Sequence, residues 1–364
     1  SLLLNMFFIN KLTNSKNIFL IVIVSILFLN TFLTLKVYAV SFKVSQLEIS
    51  EEFDLDFNKK KVFDKAFNLA FSKLTTMVIT STDKQKIKNI KLTAIKNLID
   101  SFTVSDEKFI DNKYYKNFNV NFNKKNTLKF FEERNIFPSI PKKLKILLIP
   151  ILVDMDEEKL IIFNENPIYN QWNVIDEEYN LLNYLLPSED IEDSDILNKN
   201  LSNLEDYSFE EIVKKYDLKN FIISIAYRKN NKIRVLSKIK FNEDYKTTNN
   251  LYEEVNLENK DSLNNFIKSL KIVYEDNWKI INKINTSIKL PITVFLSSKD
   301  YNKIQLFEKT LNDLDLVSDF YVLHFDNSNV FYKVIYNGSP NKFLIEFDEK
   351  GLKIIKNEDN WQIK

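Results

Sequence analysis

The chain has 364 residues, with 51 Lys and Arg against 50 Asp and Glu, one His, two Gly and no Cys. Gly338 and Gly351 alone can write neither a Gly-rich phosphate loop nor a nucleophile elbow. His324 alone excludes a multi-histidine metal site within the chain and leaves one candidate base for a Ser-His-Asp triad, while the lack of Cys excludes thiol catalysis, disulfides and Fe–S clusters. The net charge of +1 argues against a polyanionic partner. Arg occurs only at 134, 228 and 234 and Asn, Ile and Phe are abundant, the pattern of an AT-rich genome. Lysine runs such as 59–61 therefore read as solvated faces.

The N-terminal segment has the layout of a signal peptide. Met6 reads as the start, Lys11 and Lys16 form a positive region, and residues 18–35 are a nearly unbroken apolar run. Val37-Tyr38-Ala39 then supplies a cleavage site after Ala39. The competing reading is an uncleaved anchor, since 18 residues just span a bilayer. No second run of this kind follows, so the body is expected to be soluble and periplasmic, where disulfides are not required.

A first domain is expected over 40–140. A strand starts at Phe42, Lys43 and Val44 and continues through Leu47 and Ile49. Asn58 caps a helix in which Val62, Ala66, Leu69, Ala70 and Leu74 recur at helical spacing. The row Phe63, Phe67 and Phe71 reads as core packing rather than a ligand groove. Thr82 or Asp83 opens a second helix carrying Ile87, Ile90, Leu92, Ile95 and Leu98. A hairpin is expected over 102–110 and 114–122, the second strand alternating apolar and polar, and a short helix over 127–135. The order is βααββα.

A central α/β domain is expected over 141–285. The continuous apolar run 144–153 predicts a strand buried on both faces, paired with 159–163. A helix capped by Ser208 is expected over 209–216, a hairpin over 221–227 and 232–240, and a long helix over 263–284. The last domain, 286–364, has a strand at 292–296, a helix capped by Ser298, a hairpin over 320–325 and 330–336, a helix capped by Ser339 and ended by Gly351, and a final strand within 352–363. The expected class is α+β, with α/β sandwich layers: several small two-layer domains, the last ferredoxin-like, βαββαβ.

The segment 66–74, the strand 114–123 and the run 144–150 leading to Trp172 resemble a family of proteobacterial exported proteins, the domain of unknown function numbered twenty sixty-six. Trp278 and Leu290-Pro291-Ile292-Thr293-Val294 resemble its C-terminal part. The likeness covers most of 42–364 and rests on apolar spacings. It implies export and carries no catalytic residue.

Candidate chemistry is confined to carboxylates. Asp154, Asp156, Glu157 and Glu158 follow the buried strand at a place where α/β sheets often hold sites, and Glu189, Asp190, Glu192, Asp193 and Asp195 form an acidic cluster. A pair drawn from Asp154 or Asp156 and from Glu189, Asp190, Glu192 or Asp193 would be the acid and base of an enzyme. The plainer reading of the cluster is a solvated loop before a helix, since it lacks the spacing and Gly of a calcium loop. Ser297-Ser298-Lys299 lacks Ser-Lys hydrolase spacing. The expected function is non-catalytic binding as an accessory protein of the cell envelope, the alternative a carboxylate-dependent periplasmic hydrolase. No cofactor or metal is expected, the partner is an envelope protein and not nucleic acid, and the membrane is touched only through the N-terminal segment if it is retained.

Overall fold

The computed structural model describes residues 42–175, 179–357 and 360–364; the signal or anchor segment lies outside them. Among the described residues no helix is long and apolar enough to cross a membrane. In the first block, strand β1 (Lys43–Glu52) leads to helix α1 (Lys59–Val78). Asn58 caps α1 by accepting the Lys60 N–H at 2.9 Å, and Val62, Ala66, Ala70, Leu74 and Val78 form its buried stripe. Strands β2 (Ile99–Ile110) and β3 (Lys113–Phe122) form the expected hairpin, and the sheet order is β1-β3-β2. The second expected helix does not form as one piece. It is broken into α2 (Ser81–Lys84), capped by Thr80, a 3₁₀ turn at Gln85–Ile87 and α3 (Leu92–Lys96). Residues 84–98 contain five lysines and no acid; Asp83 offsets only Lys86 within the segment and Asp64 reaches Lys96 from α1, and Asn89 competes for backbone groups. Helix α4 (Lys124–Glu132), capped by Asn123, closes the block.

The central sheet is built on β4 (Leu144–Asp154). Strands β5 (Lys159–Ile161) and β6 (Leu182–Leu185) lie on one side of it, and β7 (Phe221–Lys229), β8 (Lys232–Phe241) and β9 (Asp244–Tyr252) on the other. β4 and β7 run parallel. Helices α5 (Pro167–Trp172), α6 (Ile191–Lys199), α7 (Glu210–Lys214) and α8 (Lys260–Ile281) cover the sheet. The β4 side chains explain the layering. Ile146, Leu148 and Leu152 pack with Trp172, Phe266, Leu270, Tyr274 and Trp278, whereas Leu147, Ile149, Ile151 and Val153 pack with Leu197, Phe209 and Ile212. This block therefore has helices on both faces, three layers rather than two, which is what a continuous apolar strand requires. Helix α7 is shorter than expected. Phe209 is fully buried with φ 60°, so the helical turn starts only after it. β9 departs from apolar alternation, with Thr247, Thr248, Asn249 and Asn250 at its centre, and periodicity missed it.

In the last block, β10 (Leu290–Ser297), α9 (Tyr301–Asp313), β11 (Val317–Phe325), β12 (Asn329–Tyr336), α10 (Pro340–Asp348), β13 (Ile354–Lys356) and β14 (Trp361–Ile363) follow in order. The sheet order is β11-β12-β10-β14-β13, with β14 parallel to β10. The order β11-β12-β10 follows the expected βαββ course, but β14 runs parallel to β10 and β13 lies outside it, whereas a ferredoxin-like sheet is antiparallel throughout. Two corrections apply. The segment 352–363 forms two short antiparallel strands, not one. The cap of α9 is Asp300, which accepts the Lys303 N–H at 3.0 Å; the Ser298 N–H is bonded to the Ser328 carbonyl at 2.9 Å and keeps the chain extended past it. Gly351, at φ 77°, ends α10 as expected.

The expected boundaries near 141 and 286 are not loose linkers. Ile140 donates to the Asn282 carbonyl at 2.9 Å and Ile284 to the Pro138 carbonyl at 2.8 Å. The first and last blocks also share one apolar cluster, from Val44 and Phe131 to Ile292 and Phe347.

Candidate functional site

The carboxyl ends of the parallel strands β4 and β7 open into a cleft of about 950 Å³. Its far wall is the segment from Asn198 to Asp206, after α6. Asp154 ends β4 and is buried, and the strand register sets Arg228 of β7 opposite it. The Arg228 guanidinium binds its carboxylate directly, and the N–H groups of Asp156 and Glu157 donate to Oδ1 at 2.9 and 3.2 Å. Arg228 above all, with these bonds, holds the Asp154 carboxyl below its ordinary range. Asp156 is exposed and accepts the Asn230 N–H at 3.3 Å, tying the β4–β5 turn to the β7–β8 turn. The cleft also holds Arg234, which pairs with Glu205 at 2.5 Å and lies 4.4 Å from the Tyr227 ring centroid. Burial, first of all, pushes the Tyr227 hydroxyl up to about 12.

The acidic cluster is not a loop before a helix but the start of one. Asp190 caps α6, accepting the N–H groups of Glu192 at 2.8 Å and Asp193 at 3.3 Å. Lys215 reaches Asp193 at 2.7 Å, Asp190 at 3.1 Å and Glu192 at 3.3 Å. That one cation lowers the Asp190 carboxyl, and the acids, Asp193 first, raise Lys215. Asp193 is 1% exposed. Glu189 lies outside the clamp and accepts the Asn164 side-chain amide at 2.6 Å. Asp154 lines the large cleft and Asp193 a separate small cavity beside Ile149 and Pro150, so the structure gives each acidic set its own cation and its own surroundings. Among the described residues no group of three or more acidic or His side chains is arranged to hold a metal ion.

His324 is exposed on β11 and stacks on Phe331, with centroids 4.2 Å apart. The Ser297 hydroxyl accepts the Lys299 N–H at 3.3 Å. A buried carboxyl that sequence reading did not single out is Glu275 on α8. It accepts the N–H groups of Leu181 at 3.0 Å and Leu182 at 2.8 Å, and burial raises its pKa. Helical spacing placed Glu275 beside the apolar stripe, but nothing local disclosed its partners.

A different surface lies along β2. This 12-residue strand is the edge of its sheet. Its inward side chains are only half covered by α1: Phe102 remains 42% exposed and Phe109 57%, and the neighbouring Phe53 is 49% exposed. Phe102 meets Phe63 and Phe67 edge-on at 5.8 and 5.1 Å, and Phe109 meets Phe53 at 5.0 Å. Phe67 and Phe71 are buried, in keeping with core packing; the exposed aromatic fringe comes from the strand and not from the helix row. β11 is a second edge, with Tyr321, Leu323 and Phe325 exposed. The edge strand β9 is polar instead. No family model and no curated protein matches the chain.

Proposed function

We propose that this protein is an exported, non-catalytic accessory protein of the bacterial cell envelope, one that holds an extended segment of an envelope protein by strand addition along β2. One observation carries the reading. β2 offers a 12-residue open edge flanked by half-exposed Phe53, Phe102 and Phe109, the combination in which backbone bonds supply affinity and side-chain pockets supply selectivity. The register shifts at Ser105/Lys108, where Asp106 takes φ 55°, and this interruption discourages indiscriminate edge pairing. Export rests on the signal-like segment 1–39, and the envelope setting on the resemblance to the exported family. The commitment of Asp154 to Arg228, and of Asp190, Glu192 and Asp193 to Lys215, favours binding over the hydrolase alternative, which needs one carboxyl held protonated.

A photo-crosslinking residue at Thr103 on β2 is expected to capture an envelope-fraction protein in living cells, and the same residue at Thr247 on the polar edge β9 is not. Phe109→Lys is expected to reduce the Thr103 crosslink at least about tenfold, at a stability cost of about 1 kcal/mol, because the ring is already more than half in water. Equal labelling from both positions, or recovery of the native chain in the cytosol with its leader intact, sinks the reading.

A further inference from the structure

The cleft beyond β4 and β7 is a surface separate from β2, and its charge pattern specifies a ligand. Four acidic side chains, Asp154, Glu158, Glu205 and Asp206, line it together with four basic ones, Lys199, Lys229, Lys232 and Arg234. Asp154, Glu205, Lys232 and Arg234 have partners of their own: Arg228, Arg234, Glu253 and Glu205 respectively. The remaining four form no ion pair within 4.0 Å among the described residues, although they share one cleft. Glu158 and Lys229 stand on the strand-end wall, and Lys199 and Asp206 on the opposite wall. Each wall thus presents one acid and one base without an ion pair of its own, Asp206 also feeling the charge of Lys238. Val153, Leu204 and Leu251 add apolar lining, and the Tyr227 ring lies there with Arg234 over it.

A polyphosphate entering here meets four carboxylates, and a polycation meets four bases. A ligand carrying both signs about an apolar middle meets complementary groups on either wall, and a volume of about 950 Å³ matches the range of small-ligand sites. We propose that this cleft binds a short zwitterionic peptide, its ammonium groups on Glu158 and Asp206 and its carboxylates on Lys199 and Lys229.

Calorimetric titration of the full chain with the peptide Lys-Leu-Glu tests this. Binding is expected with Kd of about 10 μM to 1 mM, weakening as salt is raised. Lys229→Glu and Asp206→Lys, both at exposed positions, are each expected to weaken binding at least about tenfold, whereas Lys60→Glu on α1 leaves it unchanged. Inorganic tripolyphosphate is expected not to compete. The proposal is overturned by absence of heat with Lys-Leu-Glu at millimolar peptide, by binding that both charge reversals leave intact, or by tripolyphosphate binding that Lys229→Glu abolishes. Because Phe109→Lys does not touch this cleft, the variant is expected to bind Lys-Leu-Glu normally, so failure here and failure of strand addition are separate results.

Discussion

Trp278→Ala is expected to lower the stability of the folded chain by about 3–5 kcal/mol. Trp278 lies on α8, is fully buried, and packs edge-on against Phe241 with centroids 5.3 Å apart. Its indole N–H donates to the Lys142 carbonyl at 2.7 Å, just before β4 begins. The substitution therefore opens a cavity between the helix and the central sheet and also removes the donor from a carbonyl at the entry to that sheet. Urea denaturation measures it as a fall in midpoint with little change in slope. Trp278→Phe separates the two contributions. It keeps much of the contact with Phe241 but leaves the Lys142 carbonyl without its donor, and is expected to cost about 1–3 kcal/mol. A midpoint unchanged in Trp278→Ala would show that α8 does not hold the central block together.

Glu275→Ala is expected to cost a similar amount, about 3–5 kcal/mol, for a different reason. The Glu275 carboxylate is the acceptor for the two N–H groups that start β6, and buried Lys279 is among the charges that act on it. Removing it leaves both N–H groups without that acceptor and deprives Lys279 of a compensating charge. Hydrogen exchange is expected to accelerate first at Leu182–Leu185, since β6 is tied to β4 over only four residues. Glu275→Gln retains an acceptor and is expected to cost less. The pH dependence has a definite sign. Burial raises the folded pKa above the ordinary 4.5, so the folded chain binds more protons than the unfolded chain above that pH. The stability from this group is full below 4.5 and is lost as pH rises through the folded value. The wild-type curve is therefore expected to slope downward in that window and the Glu275→Gln curve to be flatter. A slope left unchanged in Glu275→Gln would assign it to another group, first of all Asp315, whose carboxyl burial pushes up to about 6.

Several elements were legible because their causes lie within a few residues. Asn58, Ser339 and Gly351 mark helix ends by chemistry confined to one turn, and the unbroken run of β4 announced burial on both faces. The βαββ course of β10 to β12 is legible in strand and helix alternation, whereas the split of 352–363 into β13 and β14, with β14 parallel to β10, is not. Ser298 reads as the cap in sequence, but the Ser328 carbonyl across the sheet holds its N–H and Asp300 takes that role. β9 escaped notice because its Thr and Asn residues show no two-residue apolar period; it is a strand because β8 lies beside it. Asp154 and Asp190 were visible as acids near strand and helix ends. That one meets Arg228 and the other Lys215 was not, since those cations lie 74 and 25 residues further along the chain.

For α1, β4 and α10, element type, burial stripe and helix ends follow from the amino-acid order alone, because period and capping act over one to four residues, whereas β9 and the start of α9 depend on their neighbours. Tertiary structure decided which carboxylates meet a cation, which aromatic rings stay in water along β2, and which charges line the cleft without an ion pair of their own. Those outcomes depend on strand register and on side chains brought together from distant segments. Coulomb and desolvation energies follow distance in space and not distance along the chain.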